Sequence, residues 1–141
     1  MGAKGTGKVA PASRTPGLTD TDILIDATHS VSDAVAFLTT QQSSSGLQIS
    51  VISAMELVIG SRNRTELRQV RQFLQRITLL PISRTASQTA YQLMGSFYLS
   101  HGLLMPDAFI AATALESGLT LYTRNVRHFQ MIPALTVVRP Y

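Results

Sequence analysis

Acidic side chains in apolar surroundings are the residues of this sequence best suited to chemistry. The chain has only eight Asp and Glu residues, and Asp20, Glu56 and Asp107 stand within or directly before runs of apolar residues. Burying like charges together raises their pKa values unless a cation compensates them. If these segments meet in the fold, they predict either a bound metal ion or a set of carboxyl groups that share protons.

The donor atoms narrow the choice of metal. The chain has no cysteine, which excludes thiolate zinc sites, disulfides and cysteine nucleophiles. Carboxylates without His or Cys partners favour Mg²⁺ or Mn²⁺. Each acid also has an ordinary explanation: an exposed helix position for Glu56, a helix-dipole partner for Asp107, and a turn for Asp20 or Asp22. Those explanations do not account for the apolar flanks of every segment, so we favour a shared metal site.

The elements that must position these acids follow from the hydrophobic pattern. From Leu18 onward, short apolar runs alternate with longer amphipathic segments, which is typical of βαβ units around a parallel sheet. Strands are predicted within 17–25 and at 47–52, 77–82, 119–122 and 135–138. Helices are predicted at 30–41, 53–60, 65–75, 85–100 and 106–117. The first range stays open, because Ile23-Leu24-Ile25 suits either a strand or the start of a helix.

In a parallel sheet of an α/β protein, functional groups collect where the strands end and the next helices begin. Asp20 lies on or beside the first predicted strand, Glu56 follows the second, and Asp107 begins the last helix. Thr123 and Asn125 directly follow the fourth strand. Four separate segments can therefore deliver polar groups to one edge of the sheet.

Composition indicates one folded domain. The 141 residues are 45% hydrophobic and 14% charged, which excludes an intrinsically disordered chain. We assign residues 17–141 to this domain, and residues 1–16 to a flexible basic tail or a remnant of an expression vector. No run approaches the roughly 20 apolar residues needed to span a bilayer, and we do not expect the N-terminal residues to act as a secretory signal. We therefore expect a cytoplasmic protein, and the net charge of +4 suits a polyanionic partner.

Four segments of the chain, in their order along it, resemble the motifs of PIN domains. The resemblance is closest to VapC-type toxins, the ribonucleases of type II toxin–antitoxin systems. The resemblance extends from about Leu18 to the end of the chain. The segments are Asp20-Thr21-Asp22-Ile23-Leu24-Ile25-Asp26, Ser53-Ala54-Met55-Glu56-Leu57, Met105-Pro106-Asp107-Ala108-Phe109-Ile110-Ala111-Ala112 and Leu121-Tyr122-Thr123-Arg124-Asn125-Val126-Arg127-His128-Phe129.

This resemblance implies a PIN-like three-layer sandwich, with a parallel sheet of about five short strands flanked by helices. It implies that Asp20, Glu56 and Asp107 hold one or two Mg²⁺ or Mn²⁺ ions, and that activated water attacks an RNA phosphodiester to leave a 5′-phosphate and a 3′-hydroxyl. It also implies a small VapB-type antitoxin as a protein partner and assembly as a homodimer. Thr123 is expected to orient a carboxylate or a water through its hydroxyl.

The chain departs from the broader family at one position. The fourth acid of that family falls at Asn125, an amide that contributes no charge, so we expect one firmly bound ion and a second that arrives with the substrate. Asp22 is a candidate auxiliary acid that supplies the missing charge, with a turn or capping role as the alternative.

Basic residues are the remaining candidates for substrate contact. Arg124 and Arg127 adjoin the predicted site and are expected to contact RNA phosphates, whereas His128 is interpreted as a structural histidine. A second basic group, with its members at i, i+4 and i+7, is interpreted as a solvated helix face. Its members are Arg64, Arg68 and Arg71.

The same motifs disfavour two other classes of α/β protein. A phosphoacceptor receiver domain needs a lysine after the final strands, where this chain has Thr123-Arg124-Asn125, and a dinucleotide-binding oxidoreductase needs a G-x-G-x-x-G that is absent. The alternative function is a PIN-like RNA-binding or interaction module with little catalytic activity. It stays possible because Asn125 replaces the fourth acid of the family.

Overall fold

The computed structural model describes residues 15–141, and their helices and strands alternate as the hydrophobic pattern predicts. The strands are β1 (Gly17–Thr19), β2 (Gln48–Ser50), β3 (Thr78–Leu80), β4 (Thr120–Tyr122) and β5 (Val137–Val138). The helices are α1 (Thr21–Thr28), α2 (Ser32–Ser44), α3 (Val51–Ile59), α4 (Arg64–Leu74), α5 (Arg84–His101) and α6 (Met105–Ser117), and Val126–His128 forms a 3₁₀ turn. Most of the tail predicted at residues 1–16 lies outside this range.

The five strands form one parallel sheet in the order β3-β2-β1-β4-β5. Helices α5 and α6 pack on one face of the sheet, against a core that includes Leu18 and Leu121. Helices α1, α2 and α3 pack on the other face, against a core that includes Ile49 and Tyr122. Neighbouring residues of a strand point to opposite faces, as Leu121 and Tyr122 do. The predicted three-layer α/β sandwich is therefore confirmed.

Local capping signals explain where the helices begin and end. The Ser50 hydroxyl accepts a hydrogen bond from Ile52 N at the start of α3, and the Ser83 hydroxyl accepts one from Ala86 N at the start of α5. Gly118 ends α6 in the left-handed conformation, at φ 64°, which glycine adopts without steric cost.

Most predicted boundaries shift by one to three residues, and two segments near the site need an explanation. The strand predicted at 47–52 ends at Ser50, because its cap starts α3 at Val51. The open segment Ile23-Leu24-Ile25 belongs to α1, which begins immediately after Asp20 because the Asp20 side chain accepts a hydrogen bond from Thr21 N. Sequence periodicity over so few residues does not separate these cases.

Within residues 15–141, no helix combines the length and the apolar character that crossing a membrane requires. This agrees with the absence of a long apolar run in the sequence.

Candidate functional site

Asp20 occupies the junction between β1 and α1, at the edge of the sheet where the strands end. Its Oδ1 accepts a hydrogen bond from Thr21 N at 2.7 Å, and its Oδ2 accepts one from the Thr123 hydroxyl at 2.8 Å. The residue is only 5% exposed. Burial, helped by the neighbouring charge of Asp22, raises the pKa of Asp20 to about 7. Asp20 is therefore a carboxyl group whose ionisation requires compensation.

Thr123 connects the two aspartates of the first motif. Its hydroxyl donates to Asp20 and lies 3.4 Å from Asp22 Oδ2, and it accepts a hydrogen bond from Asn125 N at 2.9 Å. Asp22 Oδ2 also accepts a hydrogen bond from Arg124 N at 2.9 Å, while burial raises the pKa of Asp22. The Thr123 hydroxyl is thus hydrogen-bonded to Asp20 and adjoins Asp22, while its orienting role in a reaction stays a prediction.

Glu56 reaches the same region from the middle of α3. Its Oε1 accepts a hydrogen bond from the Thr21 hydroxyl at 2.6 Å, and the Thr21 hydroxyl is also hydrogen-bonded to the Ser53 hydroxyl at 2.8 Å. Ser53 and Glu56 are three residues apart on α3, so they share one face of that helix. The buried Thr21 hydroxyl, itself hydrogen-bonded to Ser53, therefore fixes the direction of the Glu56 side chain.

Asp107 comes from the first turn of α6, and its Oδ2 lies 3.3 Å from His128 Nδ1. Burial raises the pKa of Asp107, His128 lowers it, and the charges of Glu56 and Asp22 raise it further. His128 was interpreted as a structural histidine, but its side chain is 53% exposed and it contacts Asp107. It is therefore part of the site's rim.

The four acids form one electrostatic cluster. The charge of Asp107 acts on Asp20, and the charges of Glu56 and Asp22 act on Asp107. In the part of the chain from 15 to 141, none of Asp20, Asp22 and Glu56 forms an ion pair with a cationic side chain. The structure therefore brings these acids together, and only Asp107 has a cationic side-chain partner among the described residues, His128.

This arrangement fits a hydrated divalent ion better than a closed cage. No three His, Asp or Glu side chains of residues 15–141 stand close enough together to ligate one ion directly. Mg²⁺ keeps several water ligands and takes only one or two protein carboxylates directly. Spaced carboxylates with uncompensated charge satisfy that requirement, whereas a structural zinc site requires four protein ligands.

The predicted polar residues after β4 lie beside this cluster. A cavity of about 260 Å³ is lined by Asp22, Asp26, Arg124, Asn125 and Arg139. Arg124 is half-buried and its Nη1 donates to Asp26 Oδ2 at 3.0 Å. The side chain of Asn125 is exposed.

Arg127 lies on the 3₁₀ turn after β4 and is exposed. The basic positions of α4, interpreted as a solvated helix face, are also exposed. These positions are Arg64, Arg68 and Arg71.

Sequence reasoning gave no role to Thr21, Ser53 and Asp26. The first two were detectable in principle: Thr21 directly follows Asp20, and Ser53 precedes Glu56 by one helical turn. Asp26 follows Asp22 by four residues, which places both on one face of α1. Nothing in the sequence pairs Asp26 with Arg124, because 98 residues separate them.

A second and larger cavity adjoins Glu56. This groove has a volume of about 700 Å³ and runs between α1, α3 and α4. Its lining includes Ile25, Leu57 and Phe73 together with Glu56. The site thus faces an apolar groove on the side of Glu56 and a polar cavity on the side of Asp22.

The fold and the acidic cluster define the class of protein. A family model described as the PIN domain matches residues 18–134, so the chain belongs to the PIN-domain family. Within this family, Ribonuclease VapC10 of Mycobacterium tuberculosis is 34% identical over 119 residues, which cover 84% of this chain and 89% of that protein. The family assignment made from the four motifs is confirmed.

Solved structures agree with this assignment. A toxin-antitoxin complex from Klebsiella pneumoniae contains a chain that is 32% identical, with a TM-score of 0.73 over 89% of this chain and 98% of that chain. The DNA-bound VapBC from Salmonella typhimurium has the same fold, with a TM-score of 0.73 at 23% identity over 87% of this chain and 96% of that chain.

Proposed function

We propose that this chain is a divalent-metal-dependent endoribonuclease and the toxin of a VapBC-type toxin–antitoxin pair. The observation that carries the proposal is the single cluster that contains Asp20, Glu56 and Asp107. In residues 15–141, Asp20 and Glu56 have no cationic partner, and Asp107 has only His128. Membership of the PIN-domain family and the similarity to a ribonuclease support RNA as the substrate.

The proposed reaction is hydrolysis of an RNA phosphodiester bond. Asp20, Glu56 and Asp107 would hold Mg²⁺ or Mn²⁺, directly or through its water ligands, and the ion would neutralise phosphate charge and lower the pKa of the attacking water. Thr123 holds one Asp20 oxygen in place, and Thr21 holds Glu56. Preset carboxylates avoid reorganisation as the reaction proceeds.

Asp22 in α1 and the residues after β4 have proposed supporting roles. Asp22 lies beside Asp20 and supplies the negative charge that the amide of Asn125 does not. Asn125 lines the polar cavity next to Asp22, where its amide can bind a water or a substrate oxygen. Arg124 and Arg127 are proposed to contact RNA phosphates, because both follow β4 directly.

A small VapB-type antitoxin is the proposed protein partner, in line with the toxin-antitoxin complexes among the similar structures. The apolar groove between α1, α3 and α4 offers such a partner a surface, and Glu56 lies in its wall. A segment bound there would cover Glu56, and thereby block access to the carboxylate cluster.

The proposal is tested by incubating purified protein with cellular RNA and Mg²⁺ or Mn²⁺, beside Asp20→Asn and Asp107→Asn variants. Asp33→Asn is the matched control, because Asp33 is an exposed acid in the first turn of α2. We expect cleavage by wild type and control, and a loss of at least about 100-fold in the two site variants.

Circular dichroism of each variant separates loss of chemistry from loss of fold. Equal cleavage by wild type and folded site variants would refute the mechanism. If none of the proteins cleaves RNA and metal titration shows no binding, the chain is the RNA-binding or interaction module instead.

A further inference from the structure

We propose that Asp26 and Tyr141 are positioning residues that hold the Arg124 guanidinium beside the carboxylate cluster, with free N–H groups for a phosphate of the substrate strand. This inference rests on the proposed function and deepens it. It assigns roles to two side chains outside the acidic cluster, one in α1 and one following β5.

Two contacts hold the guanidinium directly, and a third joins its two partners to each other. Arg124 Nη1 donates to Asp26 Oδ2 at 3.0 Å, and the Tyr141 hydroxyl donates to the same oxygen at 2.7 Å. The Arg124 Cζ lies 5.0 Å from the centroid of the Tyr141 ring, within the range of a cation–π contact. Tyr141 therefore supports Arg124 twice, through its ring and through the carboxylate that both residues share.

The neighbouring carboxylates explain why other residues must keep the Arg124 side chain in place. Its backbone N–H donates to Asp22 Oδ2, so its side chain starts within reach of uncompensated carboxylates. A free guanidinium would pair with those carboxylates and compete with the metal. Asp26 offers it a different partner: the hydrogen bond from Tyr141, followed by the hydrogen bond and charge of Arg124, lowers the pKa of Asp26 and keeps it ionised.

The guanidinium keeps donors that the described residues leave unused. Arg124 Nε is buried without a hydrogen-bond partner in residues 15–141, and Nη1 is the guanidinium nitrogen bonded to a described residue. The side chain is 39% exposed, so a ligand can still reach the guanidinium. The residue lines the polar cavity, where Arg139 adds a second positive charge. A guanidinium forms paired hydrogen bonds with phosphate oxygens. A phosphodiester of the strand is the ligand that this charge and donor pattern fits.

The test compares RNA binding and cleavage in Tyr141→Phe, Asp26→Asn, Arg124→Ala and the double variant Arg124→Ala/Tyr141→Phe. Tyr141→Phe keeps the ring and removes only the hydroxyl. Arg84→Ala is a matched loss of one positive charge, at the exposed start of α5. RNA affinity is measured in EDTA, where no metal supports cleavage, and KM and kcat are measured with Mg²⁺.

We expect Arg124→Ala to weaken RNA binding roughly tenfold, as for the loss of a charge-assisted hydrogen-bonded contact. Tyr141→Phe and Asp26→Asn should weaken it about three- to fivefold and raise KM more than they lower kcat. Tyr141→Phe should have no further effect on RNA binding in the Arg124→Ala background, because both changes act through the same guanidinium. Arg84→Ala should change affinity less than twofold.

The inference is overturned if Tyr141→Phe and Asp26→Asn leave RNA affinity unchanged, or if Tyr141→Phe weakens binding equally with and without Arg124. It is also overturned if the wild type binds no RNA in EDTA. Absence of cleavage by a wild type that binds RNA would contradict the proposed function alone, since the binding comparison does not depend on catalysis.

Discussion

Burial of the Asp20 carboxyl disfavours its ionised form. Its pKa stands near 7, against an ordinary value of 3.8, because it is buried and next to Asp22. The folded protein therefore holds a proton on Asp20 more tightly than the unfolded chain does. The free energy of unfolding therefore decreases, by roughly 4 kcal/mol at most, as the pH rises from about 4 to about 7.

We therefore predict that the metal-free protein becomes less stable between pH 5 and pH 8. Asp22 and Asp107 add to the loss, because burial raises their pKa values as well. A divalent ion should restore stability more at pH 8 than at pH 5, since only ionised carboxylates bind it. Urea unfolding at several pH values, in EDTA and with Mg²⁺, measures both effects.

Asp20→Asn should flatten this pH dependence in part, because an amide does not titrate and still caps α1. Identical pH slopes for wild type and Asp20→Asn would show that the Asp20 carboxyl is not strained by its surroundings.

At the scale of elements, β1 determines where the site is assembled, because Asp20 directly follows it. The strand is central in the sheet, and its first residue packs tightly against β4. A Cβ on Gly17 would collide with the Tyr122 ring and lie 2.7 Å from the carbonyl oxygen of Thr120. Only a residue without a side chain lets the Tyr122 ring lie this close to β1.

We predict that Gly17→Ala lowers the free energy of unfolding by about 1–3 kcal/mol, the usual cost of overpacking a filled core. Gly95→Ala is the matched control, because a Cβ on Gly95 meets nothing within 4 Å and the residue lies inside α5. That change should stabilise the protein by about 0.5–1 kcal/mol. Urea unfolding of both variants measures these changes. Equal changes in unfolding free energy would contradict the close packing at Gly17.

For the whole molecule, the exposed apolar surface of α5 and of the turn into α6 needs an explanation. Leu99 is 95% exposed and Tyr91 is 82% exposed, and Tyr98, Leu104 and Met105 are exposed as well. Exposed apolar surface of this kind commonly marks a contact with another protein. The homodimer implied by the family resemblance remains a proposal, and this surface is where we place its contact.

We predict that Leu99→Glu converts the dimer to a monomer with little change in unfolding free energy, because Leu99 contributes almost nothing to the core of one chain. Ile59→Glu is the matched control, an 81% exposed apolar residue at the end of α3. Analytical ultracentrifugation of both variants reads the oligomeric state. A dimer that survives Leu99→Glu, or a monomeric wild type, would contradict this placement.

Local features of the chain were largely predictable. The five strands and the last five helices follow from hydrophobic periodicity and capping residues, both of which depend on neighbours within about one helical turn. Helix α1 is not determined by the sequence alone, because its eight residues are too few for periodicity to distinguish it from a strand. The acids Asp20, Glu56 and Asp107 were recognisable because charged residues interrupt apolar segments.

Contacts between side chains that lie far apart in the sequence are determined only by the tertiary structure. Thr123 reaches Asp20 across 103 residues, and Thr21 reaches Glu56 across 35. The pairing of Arg124 with Asp26 and Tyr141 has the same origin, since it needs α1 and the segments after β4 and β5 to meet. Spacing along a chain determines which side chains share a helix face, whereas burial and the field of distant charges, which determine a carboxyl group's pKa, exist only once the sheet has assembled.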